Sequence, residues 1–138
     1  MPNLDRLSAY APKVLSLLRI MLGLLLLQYG LQKNFQWPAG YDKIIDPFTI
    51  RWLGKMMELI LPFFIIAGYQ TRIAAFLLAG QFTVGYFMVH APNSFFPLVN
   101  GGSLAVTWVW AYFYIFFAGG GDWSLDAYLA RGSKPATA

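Results

Sequence analysis

Cysteine is absent from this 138-residue chain, and histidine occurs once, at His90. Without thiols there is no disulfide exchange, no cysteine-ligated iron–sulfur cluster and no C-x-x-C-H haem attachment. A single imidazole also rules out bis-histidine haem ligation within one chain. No metal site is expected, so electron transfer would need a bound organic carrier or a partner's cofactor. Charge is scarce too. Asp, Glu, Lys and Arg make up 12% of the chain, about half of the roughly 25% usual in soluble domains. With 58% hydrophobic residues, the composition implies a membrane protein with room for one bundle and no separate soluble domain. The net charge of +4 is dispersed along the chain. It speaks to topology and anionic-lipid contact rather than to nucleic acid.

Four apolar stretches are read as spans, at about 14–32, 48–68, 72–90 and 99–118. The first follows Pro12, a residue suited to a helix start, and ends in Gln32-Lys33 without the small residues of a cleavage site. It therefore reads as a retained span and not a secretory signal. Asp46-Pro47 resembles the start of the second, and Arg51, Lys55 and Glu58 then share one stripe. Pro62 lacks the amide that would bond the Glu58 carbonyl four residues earlier. The short Gly68–Arg72 turn makes the next helix antiparallel. Ala74, Ala75, Ala79, Gly80 and Gly85 allow close helix approach in the third span. His90 to Gly102, reading H-A-P-N-S-F-F-P-L-V-N-G-G, is an uncharged hairpin. Gly119–Gly121 ends the fourth span, and Asp122–Asp126 looks like a cap before a short helix.

The expected fold is therefore an all-α membrane protein. It is a four-helix up-down transmembrane bundle with a short C-terminal interfacial helix, in a single domain over 1–138. Six basic residues fall on the side of the termini and four opposite, so the positive-inside rule places both termini in the cytoplasm. The expected location is the inner (plasma) membrane, with multiple passes.

Ionisable groups inside a membrane call for a reason, at about 2.5–3.5 kcal/mol each. Counting from span centres places Glu58 and Gln81 near the midplane and Arg19 about 5 Å toward the termini. Arg19 and Glu58 are then expected to pair, either as a clasp between helices or as part of a site. The alternative pairs Glu58 with Lys55 and lets Arg19 snorkel to the surface. A second tier holds Gln28, Gln32, Lys33, His90 and Asn100, with Gln28 and Gln32 facing away from Arg19, Gly23, Gly30 and Lys33. These donors, carboxylate and imidazole, with aromatic walls, suit an amphipathic ring such as a quinone carrying an apolar tail. The His90–Gly102 hairpin would be its lid, with His90 and Asn100 as hinges.

The motifs L-L-R-I-x-L-G-L-L at 17–25, Q-K at 32–33, E-x-x-x-P from Glu58, G-x-x-T-R at 68–72, H-x-P-x-x-F-F-P at 90–97, N-G-G at 100–102 and W-S-L-D at 123–126 occur in one order. Together they resemble the DoxX family, over about 14–126. The resemblance implies a small four-helix integral membrane protein. Relatives include a terminal-oxidase or thiosulfate:quinone oxidoreductase subunit, and members of membrane oxidoreductase complexes in oxidative-stress defence. Arg19, Glu58, Arg72, His90 and Asn100 match the family pattern. Tyr29 stands where the pattern often has histidine, and Ser103 where it often has glutamate, which weakens proton-coupled chemistry in the outer tier. The reading that follows is a membrane subunit of an oxidoreductase system, binding quinone or a similar lipid-soluble carrier. Its ligand residues would be Arg19, Glu58, Gln81, His90 and Asn100, with Gln28, Gln32, Lys33 and Arg72 secondary. No catalytic residue is assigned. The expected partners are the bilayer and a membrane or oxidoreductase protein, with a homo-oligomer as a further option. The alternatives are an accessory or assembly protein with structural polar residues, and a small-molecule transporter.

Overall fold

The computed structural model describes residues 3–135; the first two residues and the last three, parts of the polar ends, lie outside it. Among the described residues every regular element is helical. A 3-10 segment, Asp5–Tyr10, leads into α1 (Ala11–Phe35), followed by α2 (Ile50–Ala67) and α3 (Thr71–Gly85). A π-helical turn, Tyr86–His90, and a 3-10 turn, Ala91–Asn93, prolong α3. The short α4 (Pro97–Asn100), α5 (Ser103–Ala118) and α6 (Leu125–Gly132) complete the chain. Two continuous helices are long and apolar enough to cross a membrane, Asp5–Phe35 with 31 residues and Thr71–Asn93 with 23. The apolar α5 has 16 residues, and α2 carries Arg51, Lys55 and Glu58.

Element boundaries differ from expectation at two places. The second helix is capped by Thr49, whose Oγ1 accepts from the Trp52 amide at 3.2 Å. Asp46 cannot serve, because Phe48 adopts a left-handed φ of 63° and breaks any helix begun at Pro47. The last long helix does not run from 99. Gly101, with φ of 73°, ends α4, and α5 starts afresh at Ser103.

Successive long helices are antiparallel. α1 packs chiefly on α2 and α3 chiefly on α5, with α2 against α3 joining the pairs. Gly23 and Gly30 set the α1–α2 register. A side chain at Gly23 would meet Ile66 Cγ1 at 2.7 Å, and one at Gly30 would overlap the Glu58 carbonyl. Pro62 left that carbonyl without its helical donor, and Gly30 is what lets α1 lie against it. The core is small: Leu26, Ile65, Leu78 and Ile115 with a stack of Phe82, Trp108 and Tyr112, whose centroids are 5.7–6.4 Å apart. Large apolar side chains instead cover the outside, among them Phe63, Phe76, Phe87, Trp110 and Phe117. A water-soluble domain does not expose apolar surface on that scale.

An interlocked end and a candidate ligand cavity

The two ends of the molecule use their polar residues differently. At the end bearing the termini, side chains close the ends of helices on other elements. Arg19 is fully buried and donates only to backbone carbonyls: Gly120 at 2.8 Å, Ile66 at 2.6 Å, Trp123 at 2.7 Å, and Ile65. The carbonyls of Ile65 and Ile66 belong to the last turn of α2, the negative end of the helix dipole; Ile65 also receives the Gly68 amide at 3.2 Å, so Ile66 is the one that depends on Arg19. Arg72 similarly donates to the carbonyls of Phe116 and Phe117 at the end of α5. Asp126 supplies the opposite charge at the start of α3, accepting from the amides of Gln70 and Thr71 at 2.9 Å each. Ser16 Oγ accepts from the Trp123 amide at 2.9 Å and joins α1 to the same knot.

The expected Arg19–Glu58 pair does not form. Glu58 lies level with Gly30, eleven residues beyond Arg19 on α1, which is about 16 Å at 1.5 Å per residue. The count from span centres failed because α2 is shifted along α1 by the glycine contacts. Glu58 instead binds Lys33 Nζ at 2.5 Å through Oε2 and Gln81 Nε2 at 2.8 Å through Oε1. The Glu58–Lys55 alternative is not formed either; among the described residues Lys33–Glu58 is the only ion pair. Gln81 reaches across because Gly54 leaves space on α2, its Cβ position being 3.4 Å from Gln81 Nε2. The remaining amide atom of Gln81, Oε1, is buried without a partner among the described residues.

This cluster borders a cavity of about 740 Å³, within the size range of small-molecule sites. Leu26, Phe76, Leu77, Met88, Leu104 and Trp108 supply apolar wall, and Lys33, Glu58, Gln81 and His90 supply polar groups. Gly80 and Gly85, expected to bring helices together, have open space beside them and line the cavity instead. Lys43, Arg51 and Lys55 also border it; none of the three is a ligand candidate from the sequence, where Arg51 and Lys55 share the Glu58 stripe and Lys55 is only the alternative partner of Glu58.

The hairpin meets this cavity with its two ends. His90 Nδ1 lies 3.1 Å from the Asn100 carbonyl. A carbonyl only accepts, so Nδ1 carries the proton of the neutral ring and Nε2 is left as an acceptor. Asn100 is buried and engaged with its own loop. Its Nδ2 donates to Tyr86 Oη and the Ser94 carbonyl, both at 3.0 Å, and its Oδ1 accepts from the Gly102 amide at 2.8 Å. It shapes the hairpin and does not line the cavity, whereas His90 and Gly101 do. Phe95, Phe96 and Leu98 at the tip are exposed. Of the secondary candidates, only Lys33 lines the cavity. Gln28 is exposed, Gln32 donates to the Gly40 carbonyl at 3.0 Å, and Arg72 is at the far end.

The DoxX family model matches residues 14–91, which carries the chain from the start of α1 past His90. The chain belongs to the DoxX family. An uncharacterized protein of Haemophilus influenzae is 31% identical over 130 residues, covering 89% of this chain and 96% of the relative. A second from the same organism is 32% identical over 102 residues, covering 73% of this chain and 65% of its own length. No solved structure matches. The matched DoxX stretch includes Arg19, Lys33, Glu58, Arg72, Gln81 and His90 and stops short of Asn100 and Trp108. It thus contains both the arginines of the interlocked end and the ion pair of the cavity. Asp126, which sequence reading missed, had a signal in the unpaired amides that any helix start at Thr71 must present.

Proposed function

We propose that this DoxX protein crosses the membrane four times, with α2 and α5 also spanning, and holds a lipid-soluble carrier such as a quinone in the cavity. In this reading it is the membrane subunit of an oxidoreductase system. The observation that carries it is the joining of the partly buried Lys33–Glu58–Gln81 cluster to a large apolar cavity. A quinone supplies reversible two-electron, two-proton redox chemistry when bound. The residues present fit such a ring: Lys33 has further N–H donors for a carbonyl, Glu58 can hold or release a proton, and Trp108 and Phe76 offer apolar faces. Arg19 and Asn100 leave the ligand set because their donors are engaged by backbone or by their own loop, and Arg72 because it lies at the far end, away from the cavity.

Binding of a short-tailed benzoquinone analogue to the detergent-purified chain, followed through tryptophan quenching, tests the proposal. Glu58→Gln should weaken binding by about tenfold, the worth of one charge-assisted contact. Gln28→Ala, on the outer surface, should leave it unchanged. Equal affinity in wild type and Glu58→Gln would remove the site.

A second reading, an accessory or assembly protein, is favoured by the exposed aromatics of α5, Trp110 and Phe117. Co-purification of a membrane partner in mild detergent, with no bound carrier, would select it.

A further inference from the structure

The mouth of the cavity carries more positive charge than a neutral carrier uses. Lys33, Lys43, Arg51 and Lys55 border it, and Glu58 is the one carboxylate among the lining residues. Glu58 is bonded to Lys33, so three cations remain. Among the described residues none of those three side chains makes an ion pair or a hydrogen bond. Asp42 and Asp46 belong to the same connection, yet neither lines the cavity nor pairs with a cation. Sequence alone spreads these cations over two elements. Folding gathers them at one opening, because the connection after α1 returns beside the first two turns of α2.

Their surroundings are apolar. Ile44 and Phe48 of the connection are 91% and 90% exposed, and Trp37 and Ile50 are also exposed. Ile44, Ile45, Ile50 and Leu53 reach the cavity border alongside the cations. Cations among exposed aliphatic and aromatic side chains are the composition of a segment lying at the headgroup level of a bilayer. Here that segment opens directly onto an apolar cavity. Charge excess at the rim and apolar walls behind it define one ligand chemistry, an anionic head on a hydrocarbon tail.

We propose that Lys43, Arg51 and Lys55 form a headgroup site for an anionic membrane lipid, whose phosphate sits at the rim and whose tail enters the cavity or lies across its mouth. The site stands independently of the quinone reading, since it uses cations which that reading leaves idle. When both ligands bind, the lipid lies at the entrance a carrier would pass.

Native mass spectrometry of the full chain in mild detergent, supplied with equal dioleoyl phosphatidylglycerol and dioleoyl phosphatidylcholine, tests it. Wild type should retain phosphatidylglycerol at least about tenfold over phosphatidylcholine, since each surface cation contributes a factor of about five. Lys43→Gln/Arg51→Gln/Lys55→Gln should lose that preference, and Lys13→Gln/Arg131→Gln, at the other end, should keep it. Should the triple variant fail to fold, the three single variants should each reduce the preference severalfold. Equal retention of the two lipids by wild type, or an undiminished preference in the triple or single variants, would overturn the site. Displacement of phosphatidylglycerol by low-millimolar inorganic phosphate would overturn the assignment to a lipid. Quinone-analogue binding, measured on the same samples, reports separately on the carrier.

Discussion

Arg19 is a buried cation whose hydrogen bonds all go to carbonyl oxygens. Dipoles do the work of a counter-ion here, with two of the four carbonyls drawn from the last turn of α2. Arg19→Leu would leave the Ile66 and Trp123 carbonyls without a donor, while Ile65 would keep the Gly68 amide and Gly120 the Ser16 hydroxyl. The expected loss of stability is on the order of 3–5 kcal/mol, seen as a lower thermal midpoint in detergent, with Arg19→Lys intermediate because an ammonium cannot reproduce the planar fork. An unchanged midpoint in Arg19→Leu would contradict the structural role. Glu58 behaves differently, since its partners are side chains, Lys33 and Gln81, beside open space. Both residues stand out in the sequence as ionisable groups within apolar runs. Their partners do not, because Lys33 is one of several cations near a helix end.

The elements at the interlocked end are tied by exchanged caps. α6 is capped by its own Ser124, whose Oγ accepts from the Ala127 amide at 3.1 Å, while Asp126 caps α3. The turn before α3 supports this closeness: Gly68 has φ of 69°, and a side chain there would meet Ser124 Cβ at 2.5 Å. Asp126→Ala should therefore loosen α6, leaving the Asp126 amide bonded to the Gly68 carbonyl at 2.8 Å as its remaining tie to that turn. The expected cost is about 1 kcal/mol, with faster amide exchange across 124–132 and little change around Glu58. Exchange rates unaltered in that segment would show that packing, not the cap, holds α6. The caps of α6 and the glycine turn are legible as local motifs. That the acid of one motif serves the helix of another is not, because 55 residues of chain separate Asp126 from Thr71.

Across the whole molecule, one end is tied by hydrogen bonds to backbone beside a shallow groove of about 800 Å³ lined by Pro12, Thr71, Arg72 and Asp126, and the other opens into a cavity bordered by cations. The proposed four spans put the termini on one side and the α1–α2 connection on the other. The lack of native cysteine makes this directly measurable, because any introduced thiol is unique. In intact cells a membrane-impermeant maleimide should label Ala39→Cys and Ser94→Cys and spare Ser8→Cys and Ser133→Cys until the cells are permeabilised. Labelling of both sets alike in intact cells would rule out the proposed orientation.

By itself the sequence determined the helical class, the apolar runs, the turn glycines and family membership. These depend on composition and on spacings of a few residues, which any short window contains. Tertiary structure alone decided which charges meet. Partner choice follows axial register, and register here rests on Gly23 and Gly30 seating against Ile66 and the Glu58 carbonyl that Pro62 leaves free. A slide of a few residues along α1 would separate Glu58 from Lys33, since each residue is about 1.5 Å of axis and an ion pair tolerates little more than that. The path of the connection after α1 brings Lys43 to the cavity border beside Arg51 and Lys55 of α2, turning what reads as dispersed charge into a localised one.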